Sequence, residues 1–229
     1  MSKYSPSDPF LLARFLEPLA KYVIGACQKI YFRVIESAGH HKRDILVARV
    51  ESARDCLAEA KEQFQTALDK FSALTHFDGG DLEDLYRQLK IEFDYSRAKA
   101  LAVKDRIDAV QDVAEALFAE WEAELAQYSS RALRSSSRQK LKLTRQHYGQ
   151  LIAAMRRAES KIDPVLHAFQ DQVLYLKHNL NAKAIASLEH ELTAMSVGVS
   201  GLIGAMERSI SRANEFMYSL NGRKSLPAP

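Results

Sequence analysis

The 229-residue chain has only two cysteines, Cys27 and Cys56. That is too few for a disulfide framework, and they lack the Cys-x-x-Cys spacing of a zinc or thiol-redox site. Between Pro18 and Pro227 there is one proline, Pro164, and the whole chain holds only nine glycines, so little interrupts helix. No uncharged apolar run approaches the roughly 18 to 20 residues that span a bilayer. Arg14, Glu17, Lys21, Lys29 and Arg33 break the most apolar region, which excludes a conventional transmembrane helix. Gly-x-Ser-x-Gly, Walker and His-Glu-x-x-His motifs are missing, and no Cys-His nucleophile pair stands out. The chain is therefore expected to be non-enzymatic, with no catalytic residue, metal, cofactor or small-molecule substrate. One further absence is local: from Leu125 to Ala158 there is no Asp or Glu, while Arg and Lys occur eight times. The chain is formally +3 overall, so the remainder carries −5 and charge is segregated along the sequence.

What is present is helical periodicity. Leu46, Val50, Ala53, Leu57, Ala60, Phe64, Ala67, Phe71 and Leu74 alternate at spacings of four and three, which aligns them on one helix face. This predicts a first long helix over about 41–76, ended by Phe77, Asp78, Gly79 and Gly80. Asp81 is placed to cap a second helix of about 48 residues, marked by Phe93, Ser96, Ala100, Val103, Ile107, Val110, Ala114, Leu117, Trp121 and Tyr128. The serines from Ser129 to Ser137 predict the next turn, since Ser competes for backbone hydrogen bonds and favours caps. A third helix carries Leu141, Thr144, Tyr148, Leu151, Met155, Ala158, Ile162, Val165, Phe169 and Leu176, with Pro164 bending it. Asn179 to Asn181 reverse the chain into a fourth, with Ile185, Leu188, Leu192, Met195, Val199, Leu202, Met206, Ala213, Phe216 and Leu220.

The fold class expected is all-α: an elongated antiparallel helical bundle or coiled coil of four long helices, preceded by an N-terminal apolar helix. Residues 1–39 form the apolar or anchoring segment, 40–222 the bundle and 223–229 a disordered tail. Antiparallel packing would gather His40 to Arg43, Arg131 to Arg145, and Arg223 with Lys224 at one end. The cations expected to face an anionic surface are Lys42, Arg43, Arg131, Arg134, Arg138, Lys140, Lys142 and Arg145. Phe10, Leu11, Phe15, Leu16, Leu19, Tyr22 and Val23 would lie beside them in a membrane interface. Solvated helix faces account for such cations equally well, and a nucleic-acid partner is less favoured because aromatics are not interleaved with them.

Other features have plain structural explanations. Asp163, His167 and Asp171 share a helix face at four-residue spacing, but three ligands on one helix are too splayed for a compact metal site. Glu189, His190 and Glu191 are adjacent and so point to different faces. Trp121 sits at a seam position, and His40 and His41 are turn histidines with the capacity to titrate near neutrality. Gly198, Gly201 and Gly204 weaken the last helix and permit close approach.

From about residue 27 to 220 the chain resembles an uncharacterised family of bacterial coiled-coil envelope proteins, a domain of unknown function with lipoprotein-like members. The residues carrying the resemblance are His41-Lys42-Arg43-Asp44-Ile45-Leu46-Val47, Phe77-Asp78-Gly79-Gly80-Asp81-Leu82, Arg156-Arg157-Ala158-Glu159-Ser160-Lys161, Asp163-Pro164-Val165-Leu166 and Tyr175-Leu176-Lys177-His178-Asn179-Leu180-Asn181-Ala182. The resemblance implies a periplasmic, membrane-associated scaffold with possible lipidation at Cys27, where Ile24-Gly25-Ala26-Cys27 matches lipobox spacing. Glu17, Pro18 and Lys21 interrupt the preceding apolar core, so an uncleaved interfacial segment is the other route to a membrane. The alternative is a cytoplasmic coiled-coil protein binding nucleic acid or a protein partner, or a homo-oligomer, through the same surfaces.

Overall fold

The computed structural model describes residues 42–73, 82–179 and 182–221, with side chains described outside 182–190 and 221. Five helical segments fill it: α1 (Lys42–Ala73), α2 (Leu82–Leu125), α3 (Arg131–Glu159), α4 (Ile162–His178) and α5 (Ala182–Asn221). There is no strand among the described residues. The chain divides into two units, Met1–Ile45 and Leu46–Pro229. Of the first, only Lys42 to Ile45, the opening of α1, are described, with Arg43 exposed. The expected glycine turn at Phe77 to Asp81, the apolar segment Phe10 to Val23, Cys27, His40, His41 and Arg223 with Lys224 lie outside the described residues.

The second unit is a helical bundle. Lys99 Nζ donates to Glu59 at 2.6 Å and Gln63 Nε2 to Glu92 at 2.8 Å, joining α1 to α2. Arg54 reaches Asn214 at 3.3 Å and Lys61 reaches Glu207 at 3.4 Å, so α1 and α5 run in opposite senses. The α3 and α4 segments each pack on both α2 and α5. Across the middle, Phe169 of α4 stacks on Phe71 and Phe64 of α1, with ring centroids 4.9 and 6.2 Å apart. Such a buried aromatic group contributes several kcal/mol through area and ring geometry, about 3–5 for a Phe.

The seam predicted for α1 is buried without exception from Leu46 to Phe71. On α2 the prediction holds from Ser96 to Ala114 and then slips: Phe118 and Leu125 are buried, whereas Leu117, Trp121 and Tyr128 are only half-buried. A straight helix at 3.6 residues per turn drifts against a 3.5-residue repeat, and after Val110 two successive four-residue steps restore the alignment.

The third long helix is broken where Pro164 requires it. Proline's ring conflicts with the carbonyl four residues back, at Ser160. Helix α3 ends there, and Ser160 and Lys161 remain right-handed, with φ −62° and −90°. Pro164 then stands in the first turn of α4, where its missing donor is no loss. The buried series Ala158, Ile162, Val165, Phe169 crosses the break without changing phase. Ser96 and Ser209 are fully buried, and their hydroxyls have no partner among the described residues.

Candidate anionic-surface interface

Helix α3 begins ten residues earlier than its first expected core leucine, Leu141. The turn from α2 occupies only 126–130, with Gln127 N–H donating to Glu124 at 3.0 Å. Ser130 is the cap: its backbone is extended (φ −76°, ψ 118°) and its hydroxyl accepts from Leu133 N at 3.4 Å. Ser135, Ser136 and Ser137 are therefore inside a helix, correcting the expected Ser129 to Ser137 turn. One cap suffices for one helix start, and Ser137 has other work, accepting the Trp121 indole N–H at 2.9 Å. That bond fixes Trp121 at the α2–α3 interface.

The cations of this region divide by what they touch. Arg134 turns back to donate to the carbonyl of Tyr128. Arg145 pairs with Glu122 and lies over the Phe118 ring, 5.3 Å from its centroid. The Arg145 hydrogen bond holds the Glu122 carboxyl below its ordinary range. Farther along, Arg156 bonds Asp108 at 2.6 Å and Glu159 at 2.8 Å. By contrast Arg131, Arg138, Lys140 and Lys142 are exposed and form no ion pair among the described residues.

Helical geometry sorts these four. Arg131, Arg138 and Lys142 fall within about 40° of one another around the axis, while Lys140 lies about 180° from Arg131. Leu133 shares the Lys140 side and has the same angular position as Leu151, which is wholly buried. Yet Leu133 is 59% exposed, and Leu143 49%. The start of α3 thus carries three cations on one side and, on the core side, an uncovered leucine. From Arg131 to Lys140 only Arg134 and Ser137 are shielded from full exposure. Lys42 and Arg43 open α1 in the other unit and are described by themselves.

The remaining candidates do not assemble. Asp163 and His167 line a groove between α2 and α4, whereas Asp171 lines one between α4 and α5. No group of three metal-ligating side chains occurs among the described residues. Cys56 is a free thiol, pushed up by burial and then by Glu59, which disfavours the reactive thiolate. No described helix is long and apolar enough to cross a membrane. Sequence periodicity alone passed over Arg157, Arg208 and Arg212, which line a groove between α3 and α5. The available signal was Arg208 and Arg212 following Gly204 at four-residue steps.

The described residues define a helical-bundle protein whose α3 begins in an exposed basic segment. The chain belongs to the family Protein of unknown function (DUF2959), whose model matches residues 31–220. No curated protein matches it.

Proposed function

We propose that this protein is a non-enzymatic bacterial envelope scaffold or spacer that rests the first half of α3 on an anionic membrane surface. The carrying observation is that Arg131, Arg138 and Lys142 share one exposed side of α3 and form no ion pair among the described residues. Cations near an anionic bilayer contribute about 1 kcal/mol each. Nucleic acid would use the same cations, but no aromatic residue is interleaved with them to stack on bases. Long helices suit a spacer: α2, at 44 residues, spans about 66 Å.

The family match begins at residue 31, so Cys27 and the residues Phe10 to Val23 precede it. Those residues would supply the anchor, by lipidation at Cys27 or as an uncleaved interfacial segment, leaving α3 to orient the bundle. Sedimentation with vesicles tests this. The full chain should pellet with phosphatidylglycerol vesicles and stay in solution with phosphatidylcholine vesicles or duplex DNA at the same salt. Stronger retention by DNA than by anionic vesicles would favour the cytoplasmic nucleic-acid alternative.

A further inference from the structure

Between the second half of α3 and the middle of α5 lies a groove of 370 Å³, near the lower end of the range of about 300–1,000 Å³ for small-molecule sites. Its apolar lining is Ala153, Ala154 and Ala205, and its cations are Arg157, Arg208 and Arg212. One carboxylate, Glu215, also lines it, but both its oxygens are occupied from its own helix. Ser211 Oγ donates to one at 3.3 Å and Arg212 to the other at 2.6 Å. Arg157 and Arg208 are left with no ion pair among the described residues.

A small residue explains how Arg208 lies along this groove. The Arg208 Nη1 atom lies 3.4 Å from where a Cβ on Gly204 would stand, so its guanidinium folds back along α5 over that glycine. Arg156, next to Arg157 in sequence, is by contrast spent on Asp108 and Glu159 on the α2 side. Like charges held along one groove raise its potential and favour an anion. On a carboxylate two guanidinium forks compete for two oxygens, whereas a phosphate monoester offers three to share between them. Gln150 and Ser211 stand at the lining for a neighbouring hydroxyl.

We infer that the α3–α5 groove binds the phosphate of a small organic phosphomonoester, with Arg157 and Arg208 as its principal ligands. Such a phosphate could be free in solution or the headgroup of a lipid, and the site is separate from the Arg131 face.

The test is calorimetric titration of the full chain with glycerol 1-phosphate and with monomeric dihexanoyl phosphatidic acid. Binding of either, weakened at least tenfold in Arg157→Ala/Arg208→Ala and retained in Arg138→Glu/Lys142→Glu, is the expected result. Preference for the first ligand identifies a soluble source, and preference for the second a lipid. Binding of neither, or equal binding by the double-alanine variant, overturns the inference. Should that variant lose its helical circular dichroism, Arg208→Lys replaces it, keeping charge without the fork. Phenylglyoxal modification of the unmutated protein gives a further check: inorganic phosphate should slow reaction at Arg157 and Arg208 severalfold and leave Arg138 unchanged. Slowing by phosphate that is equal at all three, or absent from Arg157 and Arg208, would refute the site.

Discussion

Phe169 shows what one side chain contributes to this bundle. It stacks between Phe64 and Phe71, is fully buried, and joins helices that are not consecutive in the chain. Phe169→Ala should therefore cost about 3–5 kcal/mol in urea unfolding, with the cavity adding to lost transfer energy. Tyr148 is the other informative aromatic. Half-buried between Phe118 and Phe216, at 5.3 and 6.3 Å, its hydroxyl is pushed up to about 12, chiefly by burial and then by the charge of Glu115. A folded-state value above the ordinary 10.0 means that the folded form holds this proton more tightly than the unfolded chain. Its contribution is complete below that ordinary value and is lost as pH rises through the folded one. Tyr148→Phe should consequently flatten the alkaline decline in melting temperature between these limits, a change absent at neutral pH.

At the scale of the element, helix α3 carries a glycine that no contact requires. A Cβ at Gly149 would meet nothing within 4 Å, so Gly149→Ala should raise stability by about 0.5–1 kcal/mol through chain entropy. Chemical denaturation would report this as a higher midpoint with an unchanged slope. Helix identity was legible in the sequence because burial repeats dictate it: every described residue assigned to the α1 seam is buried. Helix starts were less legible. Five serines in Ser129 to Ser137 look alike in sequence, but only Ser130 caps, and Ser137 is selected by Trp121 sixteen positions away. The basic segment was visible as an absence of carboxylates. Which cations were available was not, because Arg134 and Arg145 are engaged by Tyr128 and Glu122, partners set by the α2–α3 packing. The α3–α5 groove was hidden for the same reason, since its lining joins Arg157 of α3 to Arg208 of α5, which only the packing of the two helices brings together.

For the bundle as a whole, charge and packing assign different tasks to different stretches. The core series through α3 and α4 keeps its phase across the break at Ser160 and Lys161, so the interruption ahead of Pro164 leaves the seam buried. At the other end of α3 the seam continues past its cover, leaving Leu133 bare on the side of the helix opposite Arg131 and Arg138. The three cations on the other side, with no ion pair among the described residues, are the basis for proposing that this end meets a membrane surface. The most direct test is the partition of Arg131→Glu/Arg138→Glu/Lys142→Glu into phosphatidylglycerol vesicles, compared with wild type at several salt concentrations. Removing three contributions of about 1 kcal/mol predicts binding at least roughly 100-fold weaker at low salt, with wild-type binding falling as salt rises. Equal partition of the two proteins, both folded and with the same salt dependence, would contradict the account.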